Sequence, residues 1–445
     1  MAGMDESLLL RAFRRAAERP WYRTLLAEHG VPADAVADDA SFVRLAPVLS
    51  KASTFQRFSI AELCGGTPVA SLATVLTSSG HGGVFSFGVS TRAQEEAAPE
   101  LIDDALDAAF AVRSRATLVI NCLPMGVVFS SRAATVATTS VREDMAVALV
   151  EHFGGEYEQI VIVADPLFLK RLLDYAASRG VDWQRHRVSV VIGEETFGEH
   201  YRSYVASCLG LDPERPERGW IMSSFGVGEL GLHLLFETPA TVALRRMLRS
   251  SPRLAAAIGL GAAEGTTPTI LAYRPTRTFL EVLDPDGNGY GRLAVTMLDD
   301  TLPIPLPRYS TGDRVRLVDD EIVAAALASH GVGLPAPLPA HLVALVGRER
   351  DVLPNGVPVE AYKDALYADA AIARDLTGAC RLVTDDDGLT WHVQLAPGVE
   401  PDETRKRRLA ELAPAHGRPD HVRLWPYHQF PFGMTLDYER KFRYS

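Results

Sequence analysis

The chain has 445 residues, 47% hydrophobic and 23% charged, with a formal net charge of −11. It is too long for one ordinary core, so about two or three domains are expected. The acidic balance, with no Lys/Arg-rich run, argues against a nucleic-acid partner, and no apolar run approaches the roughly 18 residues of a membrane span.

The first sixty residues read as helix and turn, with "SLLLRAFRRAAERP" amphipathic and Pro20 ending it. The acidic start "MAGMDES" lacks a signal-peptide core, so a cytoplasmic location is expected. From about Val69 to Val205 short apolar runs alternate with helical stretches. "ATLVINCLP", "YEQIVIVAD" and "RVSVVIGEE" predict buried strands, and "PLFLKRLLDYAASRG" predicts a helix closed by Gly180. That alternation implies βαβ units and a largely parallel sheet. "GLGAAEG", Gly259 to Gly265, imitates a dinucleotide fingerprint but follows a helical run, so it is read as a loop. "TFLEVLDPDGNGYGRLAVTML" predicts an antiparallel hairpin turning at Asp-Gly and Asn-Gly. The Pro-rich Gly331–Leu342 reads as a connector, and a domain boundary is placed near Gly347–Asp351. The remaining hundred or so residues have a shorter α+β texture.

Two residue types carry information through their scarcity. Cys64, Cys122, Cys208 and Cys380 show no C-x-x-C spacing, which predicts reduced core thiols rather than disulfides or zinc. Only five lysines stand against forty arginines. Each lysine position therefore asks for a reason.

The stretch "TSSGHGGVFSFG", Thr77 to Gly88, has the Ser/Thr/Gly composition of a phosphate-cradling loop, in which backbone N–H groups share one concavity. Gly83 is followed by Val84-Phe85 where a nucleoside-triphosphatase loop would carry Lys-Ser/Thr. Alone, the loop is equally well a Gly/Ser turn after a strand. Later segments decide: "SSFGVGELG" (Ser223–Gly231), "PLPRYSTGDRVRL" (Pro305–Leu317) followed by "VGRERD", and the C-terminal "LDYERKFRYS". With "ERPWYRTLLAEHGV", "LAPVLSKASTF" and "VVIGEE" in the expected order, the chain resembles the adenylate-forming superfamily of acyl- and aryl-CoA ligases, adenylation domains and luciferases. Within it, the resemblance is to the branch of phenylacetate-CoA ligase and the LuxE-type acyl-protein synthetases.

The resemblance implies a large N-terminal domain, 1–346, of layered αβαβα architecture with a small β-barrel region near 270–320. A mobile α+β lid, 347–445, would follow. Thr77, Ser78, Ser79, Gly80, Gly82 and Gly83 would form the phosphate loop. Gly193, Glu194 and Glu195 would lie against adenine, with Ser224, Phe225 and Gly226 in the segment whose aromatic stacks on it. Glu229 would be the Mg²⁺-associated glutamate. Asp313 would bind the ribose hydroxyls, Arg348 would add a nucleotide contact, and Asp351 would be the hinge. Lys441 would reach the α-phosphate during adenylation. The chemistry suits these types: charge builds on the phosphate oxygens, so cations and loop amides must aim there. Singly, each residue has an ordinary explanation: Glu229 a helix-start acid, Asp313 a turn residue, Phe225 core, Glu195 a helix N-cap, Lys441 a frayed terminal charge. Their joint order favours the functional assignment for Glu229, Asp313, Arg348 and Lys441, while Glu194 and Glu195 keep both readings.

The pattern also departs from the family. His81-Gly82 replaces the two loop threonines, and Gly228 replaces the threonine of Y-G-x-T-E, so hydroxyl donors are lost twice in one region. His81 either supplies a donor in their place or touches the second substrate. The expected activity is ATP- and Mg²⁺-dependent adenylation of a small aromatic carboxylic acid, with "CLPMGVVFSS" and Phe225 as apolar walls. Transfer would follow to CoA, a carrier-protein thiol, an amine or a hydroxyl. One alternative is activation of nitrite to diazotise an aryl amine. Another is a non-catalytic nucleotide-binding protein on the same scaffold.

Overall fold

Sixteen strands are described in a computed structural model that covers residues 6–78, 84–124, 126–212, 215–260, 266–433, 438–439 and 441–445. They are β1 (Leu72–Thr77), β2 (Phe87–Thr91), β3 (Thr117–Asn121), β4 (Thr135–Thr138), β5 (Gln159–Ala164), β6 (Val188–Ile192), β7 (Ile221–Val227) and β8 (Gly231–Phe236). The rest are β9 (Thr269–Tyr273), β10 (Thr278–Leu283), β11 (Gly291–Met297), β12 (Tyr309–Val318), β13 (Leu342–Arg348), β14 (Leu376–Asp385), β15 (Gly388–Leu395) and β16 (His421–Trp425). Eleven of them make one sheet in the order β10-β11-β12-β13-β9-β8-β7-β6-β5-β3-β4. β4, β3, β5, β6 and β7 pair in parallel, as the βαβ pattern predicts. Every residue of β3, β5 and β6 is buried, because helices cover both faces of a parallel sheet.

β7 is where the sheet changes character. Ile221–Ser223 pair in parallel with β6, whereas Ser224–Val227 pair antiparallel with β8. A buried charge network fixes this point. Glu237 accepts from the Ser223 amide at 2.7 Å and from Arg202 at 2.7 and 2.9 Å, while Arg202 also reaches Glu199 at 2.9 Å. Buried charges persist only when paired in this way, and removing one partner strands the others.

The hairpin predicted from "TFLEVLDPDGNGYGRLAVTML" is present as antiparallel β10 and β11. The region expected to form a small β-barrel is the antiparallel end of the long sheet, with β10 at the edge, rather than a separately closed unit. Pro20 does not merely end the first helix. It opens a second one, Pro20–Glu28, at the first helical position, where its missing N–H is not needed. Gly259 caps the helix Pro252–Ile258 in the left-handed conformation, so "GLGAAEG" begins as a helix stop; its residues 261–265 lie outside the described ones. Cys64, Cys122, Cys208 and Cys380 are free thiols, the first two and Cys380 buried. No described helix is long and apolar enough to cross a membrane.

After β13 a second, three-stranded sheet, β14-β15-β16, gathers around the fully buried Trp391. The helix Val359–Ala365 docks it on the large sheet. There Asp364 Oδ1 accepts from the His200 and Tyr201 amides at 2.8 and 3.0 Å. That carboxylate caps the helix Glu199–Leu209 from outside, where the sequence suggested Glu195 as the cap. The last residues run beside β14, with the Leu382 amide donating to the Tyr444 carbonyl at 2.7 Å. Lys441 is thus built into the fold, not frayed.

Candidate functional site

A cavity of about 580 Å³ opens at the carboxyl ends of the parallel strands and reaches across to β12 and β13. Crevices at strand carboxyl ends are the usual ligand sites of such sheets. A neighbouring cavity of about 340 Å³ lies between the large sheet and the C-terminal segment. Glu194, Ser224, Gly226, Asp313, Arg348 and Lys441 line both. Thr77, Ser78, Gly193 and Glu229 line the first, and Glu195 and Phe225 the second. Every described residue singled out in the sequence therefore faces one of two adjoining spaces. Ser79, Gly80, His81, Gly82 and Gly83 lie outside the described residues.

Strand register brings Asp313 and Arg348 together. They are opposite partners across β12 and β13, and the Arg348 guanidinium donates to the Asp313 carboxylate at 3.2 Å. Burial opposes the Arg348 charge, but Asp313 outweighs it and holds the guanidinium pKa above its ordinary value. Asp313 is only 4% exposed, so the pair presents an ordered carboxylate edge to the cavity.

Glu229 follows β7 and is buried. Its Oε1 accepts from the Tyr309 hydroxyl at 2.6 Å and lies 3.8 Å from the Lys51 ammonium. Lys51 also donates to Ser78 Oγ at 3.2 Å, which places a cation at the end of β1 where the phosphate-type loop begins. Burial depresses the Lys51 pKa, with Glu229 partly restoring it and Arg348, Lys441 and Arg350 depressing it further. These four cations converge on one space. Ser78 and Ser86 close the base of the loop, with the Ser78 amide donating to the Ser86 carbonyl at 2.9 Å. A Cβ on Gly88 would meet the Gly228 carbonyl at 2.0 Å, so the strand after the loop needs glycine there.

Lys441 Nζ lies 2.8 Å from Glu194 Oε2 and 3.1 Å from the Glu194 carbonyl. Glu194 itself sits in the left-handed region at φ 68, where β6 turns away from the sheet. Glu195 takes the next lysine, Lys363, at 2.9 Å and accepts from the Tyr444 hydroxyl at 3.0 Å. Burial would raise the Glu195 pKa, but Lys363 and Lys441 hold it below its ordinary value.

The other end of the larger cavity is apolar. "CLPMGVVFSS" supplies walls as expected, through Leu123, Val127 and Phe129, whereas Phe225 faces the second cavity. His233 stands between the two ends, with Nδ1 2.9 Å from Ser224 Oγ and its ring stacked on Phe236 at 4.7 Å. Burial, with Arg277 and Arg274 nearby, pushes its pKa down to about 3, so the imidazole is neutral.

Sequence reasoning missed Lys51, Lys363, Tyr309, Tyr444 and His233. The scarcity of lysine was the available signal for the first two, since three of the five lysines surround the site.

The architecture has solved counterparts. A 2-hydroxyisobutyryl-CoA ligase in the postadenylation state superposes with TM-score 0.68 at 14% identity, over 98% of this chain and 88% of that one. The same ligase in its thioesterification state, with CoA, gives TM-score 0.55 over 94% and 85%. An anthranilate CoA ligase with anthranoyl-AMP gives 0.51 at 12% identity, over 80% and 63%. The chain has the fold of the adenylate-forming CoA ligases. No protein-family model matches it, and a search of curated proteins finds no similar sequence. Within this fold, Lys441 from the C-terminal segment borders both cavities.

Proposed function

We propose that the protein is an ATP-dependent ligase that activates an apolar carboxylic acid as its acyl-adenylate and passes it to a thiol, with CoA the leading acceptor. The observation that carries this reading is Lys441 entering the cavity that Glu229, Asp313 and Arg348 also line. Adenylation joins the acid's carboxylate oxygen to the α-phosphorus of ATP and breaks the bond to pyrophosphate. Lys441 and Lys51 would meet the charge that builds on the phosphate oxygens, and Asp313 would accept from the ribose hydroxyls. Phe225, Glu194 and Glu195 border the space proposed for adenine. Lys51 offers a further cation at Ser78, in the proposed phosphate loop.

The donor set suits Mg²⁺, which is usually held by one or two carboxylates together with substrate phosphates. Glu229 is such a carboxylate, with Thr77 and Ser78 on the same cavity wall. When bound, the ion would neutralise phosphate charge. Residues 347–445 are proposed to act as the mobile lid, and the better superposition on a postadenylation state than on a thioesterification state supports a postadenylation-like arrangement here. The aromatic acid expected from the sequence is one member of the apolar class this cavity admits.

The test is pyrophosphate release and ATP–pyrophosphate exchange with a panel of acids, with and without CoA, and separately with nitrite plus an aryl amine. Acid-dependent exchange with CoA-thioester formation supports the ligase. Exchange with nitrite alone would replace it with the diazotising reading, and nucleotide binding without turnover would replace it with a binding protein.

A further inference from the structure

We propose that the acid has an uncharged apolar body longer than a single aromatic ring, of which a medium-chain fatty acid is the simplest example. This rests on the adenylating reading above and names the substrate class of that site.

The apolar end of the cavity is a slot between the helix Arg92–Phe110 and the parallel sheet. Ile102, Ala105, Leu106, Ala109 and Phe110 line it at helical spacing, one continuous face over two turns. At about 1.5 Å per residue that face is about 12 Å long. The opposite wall is Val163, Val191 and Met222, from β5, β6 and β7. Three adjacent strands at about 4.8 Å spacing give that wall a breadth of about 10 Å. A single ring would leave part of both walls uncovered, and an unfilled apolar space loses the contacts its lining could make.

The chemistry of the lining selects further. None of these slot-lining residues is charged; the cavity's charged side chains, Glu194, Arg292, Glu349 and Arg350 as well as Lys51, Glu229, Asp313, Arg348 and Lys441, come from other segments. The neutral His233 and Ser224 mark the transition. An acid therefore lies with its carboxylate toward the cations and its body in the slot, and a second charge on that body would be buried unpaired. Phe110 closes the far end, braced by Trp220 at 5.8 Å between ring centres, and Trp220 in turn donates to the Ala109 carbonyl at 3.4 Å.

Width is set by two alanines one turn apart. Ala105 and Ala109 leave room where a larger residue would fill the slot, so they decide whether a long body can pass toward Phe110.

Calorimetric binding and ATP–pyrophosphate exchange with butanoate, benzoate, octanoate, decanoate and 2-naphthoate test this on the full chain and on Ala109→Phe. Decanoate, octanoate or naphthoate is expected to bind at least tenfold tighter than benzoate and butanoate. Ala109→Phe is expected to abolish that advantage while preserving ATP binding. Preference for benzoate or butanoate, no binding of any long acid, or an unchanged length preference in a folded Ala109→Phe would overturn the proposal. Ala105→Leu, a smaller intrusion, gives the same readout if the first variant fails to fold. Long acids that bind without supporting exchange would instead refute the adenylating reading and leave the slot assignment standing.

Discussion

Lys441 and Glu194 form an ion pair across the boundary between the C-terminal segment and the large sheet, at 2.8 Å, inside the cavity. The carboxylate pairs with the ammonium at the wall that borders both cavities. Lys441→Ala should slow adenylation by roughly 10²–10³, the scale of losing one preorganised donor. Transfer from a presynthesised adenylate should change little, because the lid is expected to have carried the lysine away. Measuring both half-reactions on the same variant checks this. Equal losses would mark a general structural role.

Asp313 and Arg348 stand opposite each other on β12 and β13, so removing the acid leaves a cation beside the proposed nucleotide space. Asp313→Ala should weaken ATP binding through the loss of charge-assisted hydrogen bonds, about 1.5–3 kcal/mol. Nucleotide titration alongside thermal melting separates the cases. Unchanged affinity with a collapsed midpoint would make the pair structural.

The sequence replaces three family threonines, by His81, Gly82 and Gly228, and Lys51 supplies a cation to the proposed phosphate end of the cavity. Lys51→Met should raise the apparent Kd for pyrophosphate by tenfold or more, most strongly at low salt. Gly228→Thr restores one hydroxyl, and the space allows it: a Cβ there meets Ser78 atoms only at 3.7 Å, an ordinary contact. The double variant should recover part of the lost pyrophosphate affinity. Calorimetry on the two variants decides whether Lys51 substitutes for the hydroxyls.

Much of this was legible because it is local. The buried runs of β3, β5 and β6, the hairpin β10–β11 and the apolar wall from "CLPMGVVFSS" follow from periodicity and turn chemistry. Asp313 and Arg348 were found through motif order, although their pairing depends on a strand register that spacing alone does not give. Lys51 was hidden because it lies 178 residues before Glu229 in sequence (229 − 51) and meets it only after the sheet forms. His233 was hidden because a lone histidine in "GELGLHLLF" is indistinguishable from a core residue. A helix cap stayed open as one reading of Glu195 because the true cap, Asp364, comes from a different part of the chain.

His233 gives the molecule a pH signature. Its pKa falls from an ordinary 6.5 to about 3 in the folded protein. Between those values the unfolded chain binds the extra proton and the folded one does not, so stability is intact above pH 6.5 and declines as pH falls. From pH 6.5 to 5 the loss from this residue should be about 1–2 kcal/mol. Its backbone is left-handed, at φ 54, which Asn tolerates. In denaturant melts across pH 5–8 the parent should therefore lose about 1–2 kcal/mol more than His233→Asn between pH 6.5 and 5, whatever their difference at pH 8. Parallel pH profiles would show that the imidazole is not the group responsible.

The lysine economy has a practical consequence. Lys170 is fully enclosed beside Asp174, and Lys406 lies on the exposed helix Glu403–Leu412, so the other three amines all border the two cavities. An amine-reactive reagent is therefore almost an affinity label by default. Its attack on Lys51 and Lys441 can be counted by mass without engineering a probe into the chain, whereas Lys363, enclosed between Glu195 and Glu360 and held protonated by them, is a poor target. Occupancy of the cavities becomes visible as protection at Lys51 and Lys441 against one internal reference, Lys406.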